Sequence, residues 1–193
     1  MDEGLEGVEG VVDLVLSRKP TCGSTRVLAV DGPAGSGKTT LGGRVCDELT
    51  SLGHQAVLVH MDDLYDGWTA LEGSRGDDLA HRVVSQILAP LSRHEPPRWQ
   101  RFDWYADRFD RWESFDPPAV LVVEGCGSGA RDYDAYSTVI VWIEADRDER
   151  IRRGVARDGA QVLERWLAWM ESEQAHFAHH ETRERADLRL TTA

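Results

Sequence analysis

Cysteine is scarce in this chain: three residues, Cys22, Cys46 and Cys126, stand far apart along 193 positions. Neither the close pairing of a zinc or redox motif nor the density of a disulfide scaffold is present, so they read as reduced, cytosolic thiols. Basic residues are outnumbered, 22 against 34 acidic, which leaves a formal charge of −12. Such a balance excludes a general affinity for nucleic-acid phosphates or anionic lipid surfaces and favours a small-molecule partner. No apolar run approaches the roughly 20 residues of a membrane span, and the opening MDEGLEGVEG is acidic where a secretory signal is basic. The expectation is a cytoplasmic protein with no membrane or nucleic-acid partner, and with room left for a homo-oligomer.

What is present suffices for a core, since 41% of the residues are hydrophobic. A single domain over 1–193 is expected. Val8, Val11, Val12 and Val15 recur at helical spacing, so residues 1–23 read as a leading helix and a turn. RVLAVD (26–31), QAVLVH (55–60), VLVVEG (120–125) and TVIVWIEA (138–145) read as short buried strands, and ADLRLTT as a last edge strand. Helices are expected from the glycine-rich segment to about Leu52, over Leu79–Leu91, over 147–157 and over 160–181. Residues 93–118 have four prolines around RWQRFDWYADRFDRW with no clean period, and read as loops and short helical turns. Strands alternating with helices make an α/β sandwich with a mainly parallel sheet.

The chemistry is concentrated where strands end. Between the first strand and its helix lies GPAGSGKT, and Gly32, Gly37, Lys38 and Thr39 satisfy the phosphate-loop pattern GxxxxGK[ST]. Backbone N–H groups of Gly32, Pro33's neighbours Ala34, Gly35, Ser36 and Gly37, and the helix start at Thr39 and Thr40, would cradle phosphates of ATP. Lys38 would neutralise phosphate charge, and the Thr39 hydroxyl would ligate Mg²⁺. Glu124, at the end of VLVVEG, stands where a carboxylate reaches the metal's water shell. Asp62 and Asp63 follow the second strand and emerge at the same rim; one can deprotonate an acceptor hydroxyl, and a solvated turn or helix cap is the other reading. Arg150, Arg153 and Arg157 share one helix face, either as a lid over the phosphates or as a salt-laced surface. Phe102, Asp103, Trp104 and Tyr105 combine flat apolar surface with a carboxylate, as a pocket for a ring and a polyol would. Glu173, His176, His179 and His180 are accounted for by a solvated helix face, and no zinc site is expected.

In family order, GPAGSGKTT, MDDLYDGW, RFDW, VLVVEG and ERIRRGVARDG resemble the uridine kinase family of P-loop kinases, particularly its short bacterial members. The likeness spans residues 24–192. It implies a P-loop NTPase three-layer sandwich with a five-stranded sheet in the order 2-3-1-4-5, the Glu124 strand lying beside the first. It further implies Asp62 as the general base and Asp63, Tyr65, Phe102, Asp103 and Trp104 at the acceptor. Residues 93–118 would then be a substrate-side insertion and 146–158 a lid, with Arg150 on ATP and Arg153 and Arg157 on the moving phosphoryl group beside Lys38. MgATP would be the donor, and uridine or cytidine the leading acceptor. Residues 69–80 lack the Asp-His-Pro segment that grips the ribose in that family. Another hydroxyl metabolite is therefore an alternative. VDGPAGSGKTT also resembles cytidylate kinases, which phosphorylate a nucleoside monophosphate. An ATP-binding regulatory module without turnover is the alternative outside enzymes.

Overall fold

The computed structural model describes the backbone of residues 3–192 and the side chains of residues 7–192. Residues 1, 2 and 193 of the expected span lie outside the described residues.

Five parallel strands form the central sheet: β1 (Arg26–Asp31), β2 (Ala56–His60), β5 (Val120–Glu124), β6 (Val139–Ala145) and β7 (Leu188–Thr192). Their order is β2-β5-β1-β6-β7. Counting only these five along the chain, that is 2-3-1-4-5. The apolar runs are continuous because both faces are covered. Leu28 and Val30 of β1, with Val120 and Val122 of β5, turn to one face and pack on α1 (Glu3–Ser17) and α2 (Lys38–Ser51). Val27, Leu121 and Val123 turn to the other face, against α3 (Ser74–Val83) and Trp169 of α6 (Leu163–His180). The alternation of successive strand residues thus separates two cores, and the sandwich has three layers.

Two expected segments take a different form. The helix expected over Leu79–Leu91 begins earlier, at Ser74, and widens into a π turn over Val84–Leu88 before a last turn, α4 (Ala89–Ser92). The widening precedes Pro90, whose nitrogen has no proton for the carbonyl of Gln86 four residues back.

The insertion is not loops and helical turns. It is an antiparallel hairpin of β3 (Arg98–Asp103) and β4 (Arg108–Ser114), separate from the main sheet. Trp99 and Phe102 are both buried with two residues between them, where strict alternation would leave one, because the register shifts between Gln100 and Phe102. That bulge breaks the period of two by which a strand is recognised.

The C-terminal part holds α5 (Arg147–Asp158), α6 and the short α7 (Thr182–Arg185) before β7. Asp146 caps α5 by accepting from the Asp148 N–H at 2.8 Å. The helix expected from residue 160 starts as a 3₁₀ turn, Ala160–Val162, ahead of α6.

Candidate functional site

Sheet register brings the site together. Val30 and His60 both lie opposite Glu124, so the carboxyl ends of β1, β5 and β2 finish side by side. The phosphate loop leaves β1 at Gly32, whose φ is +145° and where a Cβ would stand 2.0 Å from the Ile143 carbonyl oxygen. Only glycine fits there. Lys38 opens α2 and folds back into the loop, donating to the carbonyls of Gly32 at 2.7 Å and Pro33 at 2.8 Å. Burial works against its charge, but Cys126 and then the carboxylates of Glu173, Asp31 and Glu124 together more than offset this, and the ammonium is held above its ordinary pKa.

One residue on, the Thr39 hydroxyl donates to Glu124 Oε1 at 3.1 Å. A hydroxyl and a buried carboxylate so placed are hard oxygen donors of the kind Mg²⁺ takes. The loop offers a second sign of fit: the Ser36 hydroxyl is buried and has no hydrogen-bond partner among the described residues. Phosphate oxygens would satisfy it. The residues present therefore fit a Mg²⁺-bound nucleotide. Sequence reading missed His60, whose Nδ1 lies 2.5 Å from Glu124 Oε1. The hydrogen bond to Glu124 raises the imidazole above its usual pKa. The strand pairing of His60 with Glu124 is the signal that would have found it.

Asp62 and Asp63 lie in a 3₁₀ turn, Met61–Asp63, directly after β2. Asp62 is exposed to solvent, yet surrounding protein atoms partly desolvate its carboxyl. This desolvation raises its carboxyl pKa, Glu124 adds to the rise, and Lys38, Arg157 and His60 oppose it. Asp62 thus stands within the electrostatic reach of Lys38, Glu124, His60 and one arginine, Arg157. Asp63 is different, being engaged by Arg101 Nε at 2.8 Å. From the hairpin, the Trp104 indole N–H donates to the Asp62 carbonyl oxygen at 2.9 Å. Its ring is wedged edge-on against Trp68 at 5.6 Å and Phe102 at 5.4 Å.

One expected acceptor residue has another place. Tyr65 is 1% exposed, packs on Trp169 and donates to the Cys126 carbonyl at 2.7 Å. It is a core strut, and its hydroxyl is not a pocket group. Phe102 is 5% exposed and fills the hairpin against Phe109 and Trp104, with an edge on an adjoining cleft. Asp103 is half-buried, and its carboxylate accepts the N–H groups of Tyr105 and Ala106, which holds its pKa low. This cleft of about 330 Å³ runs along Arg101, Phe102, Asp103, Trp104, Tyr105 and Arg111, so three of the expected acceptor residues, Phe102, Asp103 and Trp104, do line one cleft. A larger hollow of about 460 Å³, by Thr50, His54 and Phe115, opens at the start of β2, the opposite end from Asp62.

The arginine row divides. Arg150 is nearly buried and paired with Glu173 at 3.1 Å, so it is not the open nucleotide contact expected. Arg153 donates to the Gly35 carbonyl and to Thr192 Oγ1, both at 3.1 Å, on the outer side of the loop. Arg157 is held by Asp158 at 2.7 Å, and its charge reaches Asp62 and Glu124. Pro33, Gly37 and Thr40 fall in the loop and first helical turn as expected, but the Ala34 N–H, expected to face phosphate, is taken by Glu173 Oε2 at 2.8 Å. The histidines of α6 form no metal cluster with their neighbours among the described residues. His176 is pushed down to about 3 by burial and stays neutral.

No protein-family profile matches the chain, and no curated protein matches it in sequence. Solved structures do match in fold. A possible uridine kinase from Bacillus stearothermophilus aligns with a TM-score of 0.73 at 19% identity, covering 98% of this chain and all of that one. A putative fructose transport system kinase from Silicibacter sp. aligns at 0.60 with 23% identity over 96% of this chain and 98% of its own. A D-glycerate 3-kinase from Cryptococcus neoformans aligns at 0.62 with 13% identity, over 98% and 93%. The chain therefore has the α/β fold of P-loop kinases over nearly its whole length. No helix among the described residues is long and apolar enough to cross a membrane.

Proposed function

We propose that this chain is a small-molecule kinase of the uridine-kinase type, working as one domain that transfers the γ-phosphoryl group of ATP to a hydroxyl. The observation that carries the reading is Asp62: a carboxylate in the turn directly after β2, whose end lies opposite Glu124, under the charges of Lys38, Glu124 and Arg157. Thr39 and Glu124 would hold Mg²⁺. Bound there, the ion supplies charge neutralisation at the phosphate oxygens.

The chain's own residues do the rest. Lys38 exchanges its two loop carbonyls for phosphate oxygens and carries charge with them. Asp62 accepts the proton of the acceptor hydroxyl, and Arg157 faces the developing charge. Asp63 with Arg101 and Trp104 forms the acceptor rim.

A neutral hydroxyl acceptor is favoured over a monophosphate. A phosphate-bearing acceptor needs uncommitted cations. Arg101 is engaged by Asp63 and Arg111 by Glu113, while Arg98 lies over the Trp112 ring and the charge of Arg108 acts on the Asp103 carboxylate. Asp62 would also repel an ionised phosphate and assists a hydroxyl. Uridine and cytidine lead, and sugars and hydroxy acids follow.

The test is ADP release with MgATP and a panel of uridine, cytidine, their 5′-monophosphates, sugars, glycerate and pantothenate. Turnover on a neutral hydroxyl compound is expected. Preference for monophosphates would overturn the acceptor assignment. ATP binding with no turnover on any acceptor would leave the nucleotide-binding regulatory module in its place.

A further inference from the structure

Every backbone carbonyl of the phosphate loop from Gly32 to Ser36 accepts a hydrogen bond from a side chain. Lys38 serves Gly32 and Pro33 from inside. The next three are served from outside the loop. Arg150 Nη1 reaches the Ala34 carbonyl at 3.4 Å, Arg153 Nη1 the Gly35 carbonyl at 3.1 Å, and the Thr192 hydroxyl the Ser36 carbonyl at 3.0 Å. Arg150 also packs by its backbone, since a Cβ on Gly35 would meet the Arg150 carbonyl oxygen at 2.7 Å.

The keystone of this set is a residue with no part in the phosphate-loop pattern. Glu173, on α6, is 2% exposed. Its Oε2 accepts the Ala34 N–H at 2.8 Å, and its Oε1 takes Arg150 Nη1 at 3.1 Å. The Cys126 thiol lies 3.4 Å from Oε2. Ala34 is therefore gripped at both polar atoms of its backbone, by an acid from α6 and a base from α5 that are themselves paired. Burying a charge is costly unless it is paired and hydrogen-bonded, and the loop backbone supplies part of what this pair requires.

We propose that Glu173, through Arg150 and the Ala34 backbone, is a positioning residue for the nucleotide: it holds the loop's outer side so that the remaining N–H groups face the phosphates. The proposal rests on the reading of this loop as a nucleotide site. It assigns Arg150 and Arg153 to bracing the loop from behind, and leaves Arg157 as the arginine of that row turned toward the chemistry.

The experiment measures MgADP affinity by calorimetry and thermal melting by circular dichroism, and it needs no acceptor. Glu173→Gln keeps the side chain's size but leaves Arg150 buried without a counter-charge, and MgADP affinity is expected to fall about tenfold. The double variant Glu173→Met with Arg150→Met removes both charges together, which often restores stability. Its melting temperature should recover above that of Glu173→Gln while its affinity stays about tenfold down, because neither methionine can hold Ala34. Affinity within about twofold of wild type in Glu173→Gln, or affinity that recovers with melting in the double variant, would overturn the proposal in favour of a purely structural pair. If the double variant does not fold, Glu173→Gln decides alone. Absence of MgADP binding by the wild-type protein would overturn the nucleotide-site reading itself, and it would be seen before any substitution is made.

Discussion

The indole N–H of Trp104 donates to the backbone carbonyl of Asp62 at 2.9 Å, across 42 residues of chain. A second bond, Arg101 Nε to Asp63 Oδ1 at 2.8 Å, fastens the same hairpin to the next residue of the same turn. The hairpin is thus tied to the candidate base through its backbone, which sets where the carboxylate points without touching its charge. Trp104→Phe keeps the ring among Trp68 and Phe102 and removes the N–H. Turnover should fall by about tenfold, the worth of one well-placed hydrogen bond, with MgATP affinity unchanged. A rise in acceptor KM with kcat intact would instead make Trp104 a substrate contact.

The two adjacent acids are separable by their partners. Burial raises the pKa of both, but Asp63 is paired with Arg101, whereas Asp62 has no such pair among the described residues and Glu124 raises it further. Asp62→Asn should lower kcat by about a hundredfold or more, within the range for loss of a general base, and leave MgADP binding in place. A base must be deprotonated to act. Because its folded pKa is raised, activity should fail on the acid side at a higher pH than for an unperturbed aspartate. Asp63→Asn should cost far less. Equal small losses in both variants would take the pair out of the chemistry.

The sheet and the phosphate loop were legible because their signals are local. β1, β5 and β6 are continuous apolar runs, and the loop's glycines, lysine and threonine lie within eight residues. The strand order came from family likeness, and nothing in the runs alone would give it. What the sequence hid is mostly what the fold brings from far away. Glu173 and its neighbouring histidines look like a solvated helix face until α6 is laid beside a loop about 140 residues earlier. The hairpin was masked by one bulge, and Tyr65 was misplaced because its neighbour, Trp169, lies a hundred residues on.

Tyr65 offers a direct check on that reassignment. Its hydroxyl is buried and satisfied by the Cys126 carbonyl in the segment after Glu124. Tyr65→Phe leaves that buried carbonyl short of a donor, and should cost about 1–2 kcal/mol of folding stability. Denaturant unfolding measures this. Acceptor KM should not change, since the hydroxyl has no route to a ligand; a several-fold rise would return Tyr65 to the binding site.

Asp31 joins the phosphate loop to the segment after Glu124. Its carboxylate accepts the N–H groups of Gly32 at 2.7 Å and of Gly127 and Gly129, both at 2.9 Å, and the side chain is fully buried. Burial raises the pKa and the three N–H groups and Lys38 lower it; burial prevails, and the value moves from 3.8 to about 6. Between these two values the folded protein keeps a proton that the unfolded chain has released. Stability from this site is therefore greatest below about pH 4, falls as the pH rises through about 6, and is constant above, a loss on the order of 3 kcal/mol. Asparagine cannot ionise, and it sets an NH₂ against one of the N–H donors. Asp31→Asn should accordingly be less stable than wild type at pH 4, with the gap in melting temperature narrowing up to about pH 6.5 and then holding steady. The measurement is thermal melting of both proteins from pH 4 to pH 8. A gap that widens across this interval would mean that the three N–H groups outweigh burial and that Asp31 is ionised throughout.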